Sequence, residues 1–260
     1  MRKKAWVRLR SAPERWAAII AVCVAWEAVS RSGLVKDFIL PPFTRVIYKL
    51  VQLLVTGQMW PDIGASMQRA ASGFAISVLI AIPLGFLMAW STRIERVLDP
   101  VMQFMRNTPT LALYPFFILV FGLGELSKVA IIFWGAVWPV LMNTVEGVNR
   151  TDTLLVKSGR SMGASPLTLF FRIILPSALP SIFTGIRLSA SRSIIILVAA
   201  EMLGADKGLG FLIFSSEQNY KVEQMYAGII VLILLGMLVN FLLVRWEKHI
   251  TRWKQDITGS

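Results

Sequence analysis

The sequence predicts an all-α membrane protein with about six transmembrane helices. Three observations carry that prediction. Of the 260 residues, 55% are hydrophobic and only 16% are charged, against roughly a quarter charged in soluble domains. The apolar residues gather in long runs, several close to the ~20 residues that cross a bilayer. Lys and Arg collect between and outside those runs, so the net charge of +12 follows the positive-inside pattern. It is not the one-faced basic surface of a nucleic-acid binder, and no nucleic acid is expected as a partner.

Taken in order, residues 1–15 hold Arg2, Lys3, Lys4, Arg8, Arg10 and Arg15 and read as a basic cytoplasmic segment. A short first span follows at 16–29. Trp26-Glu27-Ala28 is a poor cleavage context, so an uncleaved helix is expected and not a signal peptide. Cys23, the single cysteine, lies in this run and is expected to be a packed thiol. Residues 38–55 open with Ile39-Leu40-Pro41-Pro42; Val46, Ile47, Leu50, Val51 and Leu54 then recur at helical spacing, interrupted by Arg45, Lys49 and Gln52. That pattern suits an interfacial helix. Further spans are expected at 74–90, 101–121, 129–144, 180–200 and 227–244, with kinks at Pro83, Pro115 and Pro139. Trp60, Trp90 and Trp246 fall near span ends, as an aromatic belt requires.

Placing the N-terminus inside puts Arg93, Arg96, Arg106, the basic residues of 150–172 and those of 245–254 in the cytoplasm. The opposite side keeps a smaller set: Arg31, Lys36, Arg45, Lys49, Lys128, Lys207 and Lys221. Both termini are therefore expected in the cytoplasm. A single transmembrane domain covers 16–246, and a cytoplasmic tail covers 247–260.

The most specific stretch is residues 157–180, KSGRSMGASPLTLFFRIILPSALP. It is polar, basic and broken by glycine, and its turn would leave backbone groups unpaired among lipid tails. It must meet water. Gly163 ends a short helix at 153–161, Ser165 suits an N-cap and Pro166 the first position of the next helix. The expected shape is helix, sharp turn, helix, then entry to the membrane at Leu175-Pro176 and Leu179-Pro180.

Gly163, Leu175 and Pro176 fit the rough pattern E-A-A-x-x-x-G, spacer, I-x-x-L-P, with Ile173 or Ile174 close to its isoleucine position. The run Arg160-Ser161-Met162-Gly163-Ala164-Ser165 is similar to R-S-[LM]-G-A-S. The segment thus resembles the EAA loop of bacterial ABC importer permeases, with Lys157, Ser158 and Gly159 where Glu-Ala-Ala is usual. Residues 106–113 (RNTPTLAL), 121–128 (FGLGELSK), 199–202 (AAEM) and 208–211 (GLGF) resemble the sulfonate, taurine and nitrate permeases of that class. The likeness covers most of 39–253.

The resemblance implies the type I ABC importer (MetI-like) fold, with an interfacial helix and a cytoplasmic coupling helix, in the bacterial cytoplasmic (inner) membrane. It implies that the loop 152–176 docks in a groove of a separate ATPase subunit. The ATPase-coupling residues are then Lys157, Ser158, Gly159, Arg160, Ser161, Gly163, Ala164, Ser165, Leu167, Phe170, Phe171 and Pro176. Leu167, Phe170 and Phe171 either anchor in that groove or pack on the chain's own spans. The implied partners are a second permease copy in a homodimer, two ATPase subunits, an external solute-binding protein and the lipid bilayer.

No G-x-x-x-x-G-K-[ST] pattern occurs, so no cofactor is expected in this chain and the partner ATPase would bind ATP and Mg²⁺. No H-E-x-x-H occurs either, and the only histidine, His249, lies in the tail. A non-catalytic subunit without a metal site is expected, not an enzyme. Arg192 lies deep in the fifth span, where a charge must face protein or water. It attracts an anion in a central cavity, or is satisfied by Glu146 or backbone carbonyls, or reaches the interface at a kink. Ser189, Ser193, Asn107, Thr108, Tyr114 and Asn143 join it as candidates for the substrate pathway, with interhelical hydrogen bonding as the alternative for the polar groups. Arg187 suits a gate or headgroup contact, and Glu201 a structural pairing. The expected function is the translocation pathway of an ATP-driven importer for a small anion such as an alkanesulfonate, taurine or nitrate. The alternative is a secondary transporter or channel with no ATPase partner.

Overall fold

A computed structural model describes the backbone of residues 2–251 and the side chains of 17–91 and 93–251. The side chains of the basic segment 1–15, and the predicted tail beyond 251, lie outside the described residues. Among those described, all regular structure is helical: α1 (Arg2–Arg31), α2 (Phe43–Val55), α3 (Trp60–Trp90), α4 (Thr92–Asn107), α5 (Tyr114–Phe121), α6 (Glu125–Asn149), α7 (Thr153–Ser161), α8 (Pro166–Leu169), α9 (Leu175–Gly204), α10 (Leu209–Gln218) and α11 (Val222–Ile250). A 3₁₀ turn, Thr110–Leu113, precedes α5, and a π turn, Phe170–Ile174, joins α8 to α9.

The helices belong to two compact units. One holds α1, α2 and the stretch Leu212–Val231; the other holds Asp62–Phe211 and the chain from Leu232 onward. In the first unit, α2 starts at Phe43 and not at 38, because Pro41-Pro42 supplies no N–H for a helix. Its N-terminus has no cap of its own. Glu27 of α1 provides one, accepting from Thr44 N at 3.1 Å and Thr44 Oγ1 at 3.0 Å. Trp26 fixes the same corner: its indole donates to Pro41 O at 3.0 Å and its ring meets Phe43 and Tyr226. Val46, Leu50 and Leu53 bury one face of α2 while Tyr48, Val51 and Val55 stay exposed, the one-sided pattern of an amphipathic helix.

In the second unit the α6–α9 pair is the spine. A Cβ on Gly185 would lie 2.8 Å from both Asn143 Cβ and Pro139 O, so only glycine permits this approach, as small residues do between membrane helices. Ser189 Oγ donates across the same contact to Ala136 O at 2.7 Å. On one side of the spine Ala81, Met88 and Met102 pack with Val137, Val140, Leu141 and Val145. Near its other end Tyr114 and Phe117 pack with Ile131, Ile132, Ile196 and Leu197.

Among the described residues, four helices are long and apolar enough to cross a membrane: Trp60–Trp90, Glu125–Asn149, the continuous Pro166–Gly204 and Val222–Ile250. The remaining two of the six predicted spans fall on α1 and on α4–α5. The predicted span 101–121 is not one helix. Thr108 is extended at φ −66°, ψ 126°, because a residue before proline, here Pro109, is pushed out of the α region. Pro115 accordingly opens α5 and makes no mid-span kink. Pro83 and Pro139 do lie inside their helices.

Candidate functional site

Two places gather the sequence candidates. The first is the α7–α8 hairpin. Asp152 caps α7 by accepting from Leu154 N at 2.8 Å, and Ser165 caps α8 by accepting from Thr168 N at 3.3 Å. Between them Gly163 sits at φ +79°, the left-handed region that ends helices and that side chains avoid. Ala164 N returns to Gly159 O at 3.0 Å and Met162 N to Ser158 O at 3.1 Å, closing the turn. Gly159 is buried where α7 meets the next helix; a Cβ there would come within 2.7 Å of Leu169 Cδ2.

Lys157, Ser158, Arg160, Ser161 and Ser165 are exposed, with Ala164 half-buried. Leu167 is 70% and Phe171 60% exposed, and Met162 and Leu154 are also bare. Phe170 is placed differently from Leu167 and Phe171. Its ring stands edge-on to Phe86 at 4.9 Å and near Trp90 at 6.5 Å, so it anchors the hairpin to α3. Pro176 lies in the first turn of α9. Having no N–H, and with a ring that crowds the carbonyl four residues back, it is accommodated by the widened turn at Phe170–Ile174. The helix therefore runs unbroken from Pro166 to Gly204.

The second place is a cavity of about 290 Å³ among α4, α6 and α9, lined by Arg106, Asn107, Asn143 and Arg192 together with Trp138 and Leu188. Helical phase explains the selection on α9. Leu188, Ser191, Arg192 and Ile195 form one exposed face, whereas Ser189, Ala190, Ser193, Ile196 and Leu197 are buried. Arg192 does not pair with Glu146, which holds Arg150 at 2.7 Å. Three pathway candidates are turned elsewhere. Ser189 bonds Ala136 O, Ser193 bonds Ser189 O at 2.9 Å, and Tyr114, 1% exposed, donates to Ala200 O at 3.1 Å. Their hydroxyls join helices, as buried polar groups in bundles do. Thr108 bonds Phe104 O at 3.1 Å in its own helix. Arg106 was not among the sequence candidates; its place at the end of an apolar run hid its return to α9.

Arg187 forms an ion pair with Glu247 at 3.1 Å, a pairing and not a free headgroup contact. Glu201 is completely buried and paired with Arg69 at 2.7 Å. That partner was missed in the sequence. The Arg69 guanidinium, 3% exposed, also grips Glu125 with two bonds of 2.6 and 2.7 Å and donates to Lys207 O at 2.6 Å. Ser66 Oγ, 2.8 Å from Oε1 and 2.9 Å from Oε2, and Gly210 N at 2.8 Å complete the Glu201 carboxylate. Asp62 accepts from Gly208 N at 2.8 Å. The network ties α3, α6 and α9 to the loop before α10.

Residues 81–255 match the family described as binding-protein-dependent transport system inner membrane component. A putative aliphatic sulfonates transport permease protein of Bacillus subtilis (strain 168) is 33% identical over 94% of this chain and 87% of its own length. The taurine transport system permease protein of Escherichia coli (strain K12) is 30% identical, covering 92% of this chain and 89% of that protein. Among solved structures, a chain of the MetNI methionine ABC transporter in an inward-facing conformation superposes with a TM-score of 0.63 at 21% identity, over 78% of this chain and 98% of that one. The fold is that of the type I ABC importer permeases.

Proposed function

Since this chain belongs to the family of binding-protein-dependent transport inner membrane components, we propose that it forms the translocation pathway for a small anionic solute of the alkanesulfonate, taurine or nitrate kind. A separate ATPase, binding ATP and Mg²⁺, drives it through residues 152–171. Two copies pair, two ATPase subunits dock on their hairpins, and an external solute-binding protein delivers the solute. The chain itself carries out no catalysis, and both termini lie on the ATPase side.

One observation carries the coupling. Helix α8 of the exposed hairpin is continuous with the apolar helix that ends at Gly204, so a push on α8 is carried along one rod to the cavity. Leu154, Met162, Leu167 and Phe171 offer bare apolar surface there beside Lys157 and Arg160. The anionic solute is supported by the names of the relatives and by Arg192, whose charge on an exposed face deep in the fifth span requires water or a polar guest, with Arg106 lining the same cavity.

The test is reconstitution. Vesicles holding the chain, its ATPase and its binding protein should accumulate taurine or ethanesulfonate only with ATP. Uphill uptake by the chain alone, or a hairpin labelled from the outer side, overturns the proposal.

A further inference from the structure

The cavity among α4, α6 and α9 sorts its donors from its acceptors, which says more about the guest than charge alone. On the donor side stand the guanidiniums of Arg106 and Arg192. Among the described residues no carboxylate lies within ion-pairing distance of either, because Glu146 holds Arg150 and Glu247 holds Arg187. Such planar forks suit the oxygens of a tetrahedral or planar oxyanion.

The asparagines are polarised the other way. Asn107 Nδ2 donates to Gln103 O at 2.7 Å, and Asn143 Nδ2 donates to Pro139 O at 2.8 Å. A carbonyl only accepts, so turning either amide round would set two oxygens against each other. The Oδ1 of each side chain is thereby its free acceptor, and neither receives a donor among the described residues. A bare oxyanion would satisfy the guanidiniums and face those oxygens with nothing to give them. Leu188 and Met142 supply apolar wall beside the polar groups, suited to a short hydrocarbon spacer.

We infer that this cavity binds a small oxyanion carrying its own hydrogen-bond donor, an ammonium or hydroxyl, on a short spacer: Arg106 and Arg192 hold the anionic head, and Asn107 and Asn143 accept from the donor. The assignment rests on the reading of the chain as a solute pathway, and it adds Arg106, Asn107 and Asn143 as specificity-determining residues.

The experiment compares taurine, isethionate and ethanesulfonate, which share a head and differ in the donor, on the permease–ATPase complex in lipid nanodiscs without the solute-binding protein. Calorimetric titration should show taurine and isethionate binding about 3–10-fold tighter than ethanesulfonate, the range of one net hydrogen bond. Asn143→Leu should remove that preference and leave ethanesulfonate unchanged, and Arg192→Gln should weaken all three. Equal affinity for the three in the wild-type complex, no binding of any, or a preference that survives Asn143→Leu overturns the inference; the first two outcomes need no variant that must fold. Failure of the wild-type complex, with binding protein and ATP, to accumulate any of the three would instead overturn the pathway reading, independently of the titration.

Discussion

Removing Arg69 should unbalance a closed, buried polar cluster. Glu201 is wholly buried, and Arg69 is its only cation among the described residues, at 2.7 Å. Arg69→Met leaves that carboxylate with Ser66 Oγ and Gly210 N but without countercharge. Breaking a buried pair from one side costs about 3–5 kcal/mol. Glu201→Leu should cost a similar amount, since it strands a guanidinium whose remaining partner, Glu125, is 61% exposed and offers less than full compensation. The double variant Arg69→Met/Glu201→Leu removes both charges. It still leaves Gly210 N and Lys207 O without partners, at about 1–3 kcal/mol each if they stay dry. The expected outcome is a double variant no worse than either single, so the coupling energy between the sites is at least one single loss, about 3–5 kcal/mol. Unfolding in mixed micelles of increasing dodecyl sulfate fraction measures this. Additive losses, or a loss below about 1 kcal/mol for Arg69→Met, would refute the reasoning that the two charges depend on each other.

Gly163→Val, at φ +79°, should destabilise the hairpin by about 1–2 kcal/mol through left-handed strain, read as reduced ATPase co-purification at unchanged expression. Leu167→Asp and Phe171→Asp should abolish ATPase co-purification while leaving thermal unfolding of the permease in place, because both side chains are bare. Phe170→Ala should do the reverse, lowering the unfolding temperature by loss of its contact with Phe86, an edge-to-face pair of about 0.5–1.5 kcal/mol beyond its area. Gly185→Ile should force α6 and α9 apart, since even a Cβ lies 2.8 Å from Asn143 Cβ; a cost of at least about 1–3 kcal/mol is expected, checked by the same micelle titration.

The hairpin was legible in the sequence because its signals are local. Gly163 and Ser165-Pro166 each act on backbone within three residues, and α7 ends at Ser161 as those signals require. The break at Thr108 was hidden by averaging: a hydropathy window sums over Pro109, while the proline acts on one torsion. The π turn was hidden too, because the missing N–H of Pro176 decides only that something must yield and not which turn does. Arg192, Asn107 and Asn143 were found as polar groups in apolar runs and do meet in one cavity. Ser189, Ser193 and Tyr114 were found by the same rule and do not, since polarity identifies a side chain but helical phase decides its neighbour. Arg69 and Glu201 are 132 residues apart, and nothing in either segment names the other.

The wide turn at Phe170–Ile174 fixes an angle as well as relieving a proline. Each residue of an α-helix advances the azimuth by about 100°, so deleting one residue there would swing the exposed hairpin about a quarter-turn around the rod relative to Arg192. If the hairpin docks as proposed, chain length in those five positions acts as gearing, and insertions and deletions should be tolerated in the outer loops yet forbidden in this stretch.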